Sequence, residues 1–275
     1  MRFELHCHST CSDGSEPPAQ VANRADARGV AVFALTDHDT CAGSTLAARA
    51  DGSSLRAVEL SCDDPETRRT IHVLAYDRGG DWSVLEARLG ELLEARRNRL
   101  RVMAAKLEQR GIRIDVEPLL AVAATRAVGR PDLAKAMVAA GAASSLKDAF
   151  ARYLYDGGPV DVPHRALSLP DALALGRAAG AALSLAHPHL YDRRGEAMLR
   201  KYRGDGLDGV EAFYGNYDAR ERARWTTIAD ELGLVCTGGS DWHGPAEASC
   251  EVGVDVPDER ATALSDWLGL SARPR

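Results

Sequence analysis

Arg2-Phe3-Glu4-Leu5-His6-Cys7-His8, with Ser12-Asp13-Gly14 close behind, is the stretch from which the fold is read. It reads as a short strand, and side chains alternate across a strand, so His6 and His8 point to one side. Two imidazoles on one side suit a shared metal ion. Cys7 points the other way and is expected to pack against outer helices as a small hydrophobe. Asp13 follows just past the strand end, where catalytic groups of parallel α/β barrels usually sit.

Working outward, short apolar strands alternate with helical patterns, the βα signature of a mostly parallel sheet or barrel. Strands are predicted over residues 2–8, 30–36, 56–60 and 70–75, with a helix over 18–28 that Gly29 stops. From Trp82 the pattern changes. Leu85, Leu89, Leu92, Leu93, Leu100, Met103 and Leu107 recur at helical spacing up to Gly111, predicting one long amphipathic helix. Further helices are predicted over 117–125, 131–140 and 146–154, before a break at Gly157-Gly158-Pro159. The βα rhythm then returns: helices over 169–179 and 219–232, strands over 182–186, 209–213 and 234–237. The expected organisation is one α/β barrel, discontinuous over 1–82 and 166–275, with a helical insertion over 83–165.

Bulk properties narrow the function. Lys and Arg number 34 against 40 Asp and Glu, for a net charge of −6. That balance argues against a surface that grips long duplex nucleic acid and favours small or short substrates. No stretch approaches a membrane span and no apolar signal core opens the chain, which points to a cytoplasmic protein without a membrane partner. The six cysteines show no C-x-x-C pair, so neither a disulfide framework nor a thiolate zinc site is indicated. The run Arg96-Arg97-Asn98-Arg99 reads as a solvated helix face.

The remaining histidines and carboxylates cluster in the same places. One predicted strand ends in Thr36-Asp37-His38-Asp39, another in Val58-Glu59-Leu60, and a third carries His72; later come Ala186-His187-Pro188, Gly239-Ser240-Asp241 and His243. A lone histidine such as His72 is most often a satisfied core residue. Six of the eight histidines, however, lie at or beside predicted strands, most with an acidic neighbour. So many ionisable groups at one barrel mouth would be very unfavourable unless cations bound them. Mixed imidazole and carboxylate ligation without thiolate suits Mn²⁺, Zn²⁺ or Fe²⁺ rather than calcium.

The series F-E-L-H-C-H-S-T-C-S-D-G-S (3–15), L-T-D-H-D-T (35–40), V-E-L-S (58–61), I-H-V-L-A-Y (71–76), L-A-H-P (185–188) and G-G-S-D-W-H-G (238–244) resembles the polymerase and histidinol phosphatase (PHP) family of phosphoesterases. A-R-Y-L-Y-D-G-G-P-V-D-V-P (151–163) resembles the insertion exit of the branch containing nucleotide phosphatases and 5′-to-3′ exoribonucleases. The resemblance implies a distorted (βα)7 barrel holding two or three divalent ions, manganese foremost, with zinc or iron as alternatives. It places His6, His8, Glu59 and Asp241 on the first ion. Glu59, bridging, His72 and His187 fall on the second, and Asp13, His38 and His243 on the third.

Within Gly129-Arg130-Pro131-Asp132, Arg130 matches the family's phosphate-binding arginine, whose planar fork suits phosphate oxygens; the other reading is a surface arginine opening a helix. Asp132 stands where this branch usually has histidine, and a carboxylate near phosphate needs a metal or a substrate donor opposite it. His189, where the family more often has a small residue, is either a substrate contact or a loop histidine. His164 is either a contact to phosphate that protonates the leaving oxygen or a hinge residue. Asp37 and Asp39 are candidates for orienting imidazoles, Asp39 alternatively for a helix N-cap.

The chemistry expected is hydrolysis of a phosphate ester by a metal-activated hydroxide, with positioning by the ions and Arg130 supplying most of the acceleration and the insertion selecting the leaving group. A nucleotide phosphatase, perhaps on a nucleoside 3′,5′-bisphosphate, is the first reading. A 5′-to-3′ exoribonuclease on short RNA, a phosphatase on another metabolite such as histidinol phosphate, and a non-catalytic metal-binding module are the alternatives, the last disfavoured by nine candidate ligands.

Overall fold

The structure, a computed structural model, describes residues 1–49, 51–122, 128–155, 157–163, 166–191, 193–246 and 250–270. These divide into two compact units, Met1–Ala87 with Leu167–Arg275, and Arg88–Ala166. The expected insertion began at residue 83, but the first turn of its long helix belongs to the first unit. There Arg56 pairs with Glu86 at 3.1 Å and lies over the Trp82 ring.

In chain order the first unit opens with β1 (Arg2–Glu4), α1 (Pro18–Ala27), β2 (Val32–Phe33), α2 (Ala42–Leu46), β3 (Ala57–Asp63) and β4 (Thr70–Tyr76). The helices α3 (Ser83–Glu108), α4 (Glu117–Val122), α5 (Arg130–Ala139) and α6 (Leu146–Ala149) come next. The first unit resumes with β5 (Leu167–Ser168), α7 (Leu169–Ala178), β6 (Ala182–Leu185), α8 (Arg193–Tyr202) and β7 (Leu207–Tyr214). It closes with α9 (Ala219–Leu232), β8 (Val235–Gly239), β9 (Val254–Asp255) and α10 (Asp258–Trp267).

The strands form two sheets, ordered β2-β1-β9 and β5-β3-β4-β6-β7-β8, in place of the single closed barrel expected from the sequence. Parallel pairs join β1 to β2, β3 to β5, β6 to β7 and β7 to β8, so the architecture is mixed α/β and rich in parallel pairing. The departure lies in β4, which is antiparallel to both β3 and β6. A short loop from Asp64 to Arg69 turns the chain straight back, so no helix separates β3 from β4 and the βα rhythm is broken. His72 therefore reaches the site from near the start of its strand, whereas His187 follows the end of the neighbouring β6.

The first strand is also shorter than expected because its partner changes. Past Glu4 the extended chain bonds alternately to both sides: Leu5 N–H donates to Gly238 O (3.2 Å), Asp241 N–H to His6 O (2.7 Å) and Thr36 N–H to Cys7 O (2.9 Å). Gly239 lies so close to His6 that an added Cβ would collide with the His6 backbone nitrogen and Cβ. Only glycine allows this approach. Cys7 is fully buried with Val21, Ala25, Phe33, Leu35 and Trp242, facing α1 as the strand period requires.

The second unit has an apolar core. Leu100, Met103 and Leu107 of α3 are buried with Leu133 and Met137 of α5, Leu154 and Val160. The helix predicted over 146–154 is α6 running into a π-helical turn, Phe150–Leu154. Part of the one predicted over 117–125 lies outside the described residues. Arg99 is not a solvated face residue. Its Nε–H donates to Val162 O at 2.6 Å and it pairs with Asp161 at 3.3 Å, tying the exit segment to α3.

Candidate metal centre

All nine candidate ligands of the sequence analysis are in the first unit, and the fold brings them together. They form four overlapping groups: His8, Asp13, His38 and His243; His6, His8 and Asp241; His6, Glu59 and His187; His38, Glu59 and His72. Within each group one ligand atom per residue lies within 4.8 Å of the others. The grouping differs from the partition the resemblance implies, because His8 also joins the Asp13 group, while His6 also faces Glu59 and His187.

Glu59 is the hub. Its Oε1 lies 3.3 Å from His6 Nε2, 3.0 Å from His72 Nδ1 and 3.1 Å from His187 Nε2. Its Oε2 lies 3.2 Å from His8 Nε2 and 3.0 Å from His38 Nδ1. Asp241 Oδ1 completes the inner set, 3.3 Å from His6 Nε2 and 3.2 Å from His8 Nε2. Asp13, half exposed, stands at the outer edge beside His243 at 3.4 Å and His38 at 3.6 Å.

The second nitrogen of most rings is committed elsewhere, which fixes what the first can do. His6 Nδ1–H donates to Glu211 at 3.0 Å, and His243 Nδ1–H to the Asp241 carbonyl at 2.9 Å. His8 Nδ1 faces Ser12 Oγ at 3.4 Å, and that hydroxyl donates to Asp37 at 2.6 Å. Ser12 must therefore accept from His8. At His187, Nδ1 is 3.2 Å from Tyr191 Oη, which already accepts the His72 amide at 2.9 Å. With the Nδ1 positions so occupied, Nε2 is the nitrogen that His6, His8, His187 and His243 have left for a cation, once any proton on it is released.

This arrangement fits divalent cations. His6 Nε2, His8 Nε2, His38 Nδ1 and Glu59 Oε2 are buried and make no hydrogen bond. Orphaned buried polar atoms are costly unless a partner such as a cation completes them. The donors are imidazole and carboxylate only, as expected for manganese, zinc or iron.

Electrostatics match. Burial works against the Glu59 and Asp241 carboxylates, but the surrounding imidazoles outweigh it and hold both well below their usual range. Burial likewise pulls His8 down, while the Asp241 and Glu59 carboxylates 3.2 Å away push it up to about 10. His38 is lowered to about 4, by burial and by the neighbouring His8 and His72.

The backbone is strained at the same place. Four non-glycine residues have positive φ among the described ones, and three are Asp39 (54°), His187 (28°) and Asp241 (53°). Each such conformation costs on the order of 1–3 kcal/mol and persists only where the surroundings enforce it. Asp39 places its carboxylate on the Ser61 amide, 2.8 Å away; the N-cap position of α2 falls on Cys41, whose side chain makes no capping bond, and Thr40 Oγ1 accepts the Ala42 amide at 3.2 Å. Asp37 serves Ser9 and Ser12, reaching His8 only through Ser12.

The substrate candidates are placed as follows. Arg130, in the second unit, donates from Nη1 to Leu154 O at 3.0 Å, a carbonyl left open where the π-helical turn ends. Asp132 accepts the Gly129 amide at 2.9 Å, which gives this carboxylate a capping role at the start of α5. His189 Nδ1 meets Tyr217 Oη at 3.0 Å, and its ring packs on Tyr214 and Tyr217. His164 lies outside the described residues.

Sequence reasoning missed the carboxylates behind the ligands. Glu4 is fully buried and accepts amides from His6 and Ser240, both at 3.0 Å, and from Gly253 at 2.6 Å. Glu211 is fully buried and accepts from His6 and from the His187 amide at 2.7 Å. The available signal was a lone acidic residue inside each apolar strand, Phe3-Glu4-Leu5 and Val210-Glu211-Ala212.

Comparison with known proteins bears on what such a centre does. No protein-family model matches the chain. It is 33% identical to a 3′,5′-nucleoside bisphosphate phosphatase of Chromobacterium violaceum, over 98% of this chain and 97% of that one. It is also 33% identical to a phosphoribosyl 1,2-cyclic phosphate 1,2-diphosphodiesterase of Eggerthella lenta (94% and 100%) and 32% identical to a 5′-3′ exoribonuclease of Haemophilus influenzae (89% and 90%). Among solved structures, one described as a metal-dependent phosphoesterase from Bifidobacterium adolescentis matches with a TM-score of 0.76 and 29% identity, covering 96% of each chain. With relatives this similar along nearly their whole length, and with imidazoles and carboxylates gathered around Glu59, the chain belongs to the PHP family of metal-dependent phosphoesterases.

Proposed function

We propose that this enzyme removes a phosphate group from a small nucleotide, a nucleoside 3′,5′-bisphosphate or a mononucleotide. Its nine ligands, His6, His8, Asp13, His38, Glu59, His72, His187, Asp241 and His243, would hold two or three divalent ions, manganese first and zinc or iron otherwise. The observation that carries the reading is Glu59, fully buried with five imidazole nitrogens within 3.0–3.3 Å of its two oxygens. The similarity to a bisphosphate phosphatase over nearly the whole chain supports the substrate class.

Divalent ions in such a centre polarise phosphoryl oxygens and make a bound water acidic enough to react near neutral pH. The chain supplies fixed donors. Asp37 through Ser12, Glu211, Tyr191 and the Asp241 carbonyl each hold one imidazole, so these four ligands would be set in place before the phosphorus is attacked. On the resemblance we assign Arg130 to the phosphate oxygens, with Asp132 holding the helical turn that carries it. His164 we assign to the leaving oxygen and His189 to a neighbouring substrate contact. We also infer that the two sheets are arcs of one distorted seven-stranded barrel; the bonds of Leu5 to Gly238 and of Glu59 N–H to Thr36 O (3.2 Å) support that closure.

The 5′-to-3′ exoribonuclease reading is favoured by the Haemophilus influenzae relative and uses the same centre. Phosphate release should be measured after chelation and manganese restoration, on nucleoside bisphosphates, mononucleotides, 5′-phosphorylated short RNAs and histidinol phosphate. Turnover confined to the nucleotides supports the first reading, and stepwise shortening of RNA replaces it. Release that persists after chelation with no metal ion restored sinks both.

A further inference from the structure

Strand β7 supplies none of the nine candidate ligands, yet three of them are held from it. Glu211 Oε1 accepts the His6 Nδ1–H at 3.0 Å, and its Oε2 accepts the His187 amide at 2.7 Å. Tyr214 Oη–H donates to Asp241 Oδ2 at 3.0 Å. Residues 211 and 214 would face opposite sides of a regular strand, because side chains alternate. They share a side because β7 carries an irregularity. Glu211 pairs with Thr237, but Phe213 pairs with the very next residue, Gly238, and Tyr214 with Gly239. Ala212 is the extra residue, and such a bulge re-aims the side chains that follow it.

We propose that the bulge at Ala212 makes β7 the positioning strand of the metal centre, with Glu211 and Tyr214 as its two positioning residues. This rests on the metal-dependent reading above and adds which residues set the affinity for the ions. Each contact removes one freedom from a ligand. Glu211 accepts only, so it keeps the His6 proton on Nδ1 and leaves Nε2 as the donor atom. Its other oxygen ties down the backbone of His187, whose φ of 28° would otherwise relax. Tyr214 takes Oδ2 of Asp241 and leaves Oδ1, the atom that His6 and His8 face.

Among the described residues no lysine or arginine pairs with Glu211; its ion-pair partner is His6, itself one of the nine candidate ligands, at 3.0 Å. It stands among His6, the His187 amide and the buried Thr237 and Ser184, which bond to each other at 2.8 Å. A fully buried carboxylate is expensive to keep unless its oxygens are bonded. Its two acceptor contacts to the ligands are what the structure shows for that cost.

The test uses chelator-stripped full-length chain titrated with manganese by calorimetry, and zinc-loaded chain labelled with ¹⁵N on histidine for NMR. Glu211→Ala should weaken manganese binding about 10–100-fold and abolish the protonated Nδ1 signature of His6 in the zinc-loaded form. Glu211→Gln, which can still accept from His6 but clashes with the His187 amide proton, should recover part of the affinity and the His6 signature. Tyr214→Phe should weaken binding about tenfold and leave His6 unchanged. Manganese affinity equal to wild type in both Glu211→Gln and Tyr214→Phe would overturn the proposal, even if Glu211→Ala does not fold. A wild-type chain that binds neither ion would overturn the metal-dependent reading itself, and this inference with it.

Discussion

The two units bury opposite kinds of matter. At the centre of the first are Glu4, His6, His8, Asp37, Glu59 and Glu211, each fully buried; at the centre of the second are Leu100, Met103, Leu107, Leu133 and Met137, also fully buried. An apolar core gains stability from every methylene it hides. A buried set of imidazoles and carboxylates loses solvation, and it is tolerable only when its members are bonded to each other and to what they bind. The second unit is thus stabilised by its apolar interior, whereas the first holds, beside an apolar core around Phe33, Leu35 and Trp242, a polar interior that is its working part, with strained backbone at His187 and Asp241 as a further cost.

Substitutions should separate the two behaviours. The largest effect is expected from His8→Ala or Asp241→Ala, which should lower phosphate release more than about 1000-fold, because the charge-stabilising centre loses a ligand. Circular dichroism should show the fold retained, and turnover near wild type would break the assignment. Leu107→Ala should instead destabilise the second unit by about 2–5 kcal/mol, read by peptide-resolved hydrogen exchange. Manganese binding by the first unit should hardly change.

Acidity gives a third contrast. Without metal, the neighbouring Asp241 and Glu59 carboxylates outweigh burial and push His8 up to about 10, so it is expected to carry its proton near neutral pH. Loading must expel that proton, so the metal-free form binds more protons and gains as pH falls. Manganese affinity should therefore drop by up to about tenfold per pH unit below that value for each proton released, measurable by calorimetry in buffers of different ionisation enthalpy. An affinity independent of pH would show that the metal-free imidazoles are already neutral. Smallest is Arg130→Ala, expected to raise KM about tenfold with kcat little changed. An unchanged KM would remove Arg130 from the substrate.

Much of the first unit was legible because its ligands obey local rules. His6 and His8 declare themselves by the two-residue strand period, and Asp13, His38 and Asp241 by following strand ends. The exact span of α9, Ala219–Leu232, follows from its Asp218 cap and Gly233 stop. Features set by partners at long range were not legible. Nothing local in Thr70–Tyr76 says that β4 runs antiparallel on both sides. Glu211 looks like any acidic residue in a strand until the fold places His6 against it. Which ligands share an ion came only from family resemblance, and the overlapping groups around Glu59 show why spacing alone could not supply it.

Gly239 has a consequence for how this protein can diverge. Its missing side chain is the room in which the His6 backbone sits, so the floor beneath the ions tolerates no variation there. On the assignment of His189 proposed above, new substrate preferences would arise at His189 and at Tyr217, which bonds it at 3.0 Å, while the backbone beneath His6 is inherited unchanged. A randomised library spanning both regions should return survivors varied at the approach and invariant at this glycine.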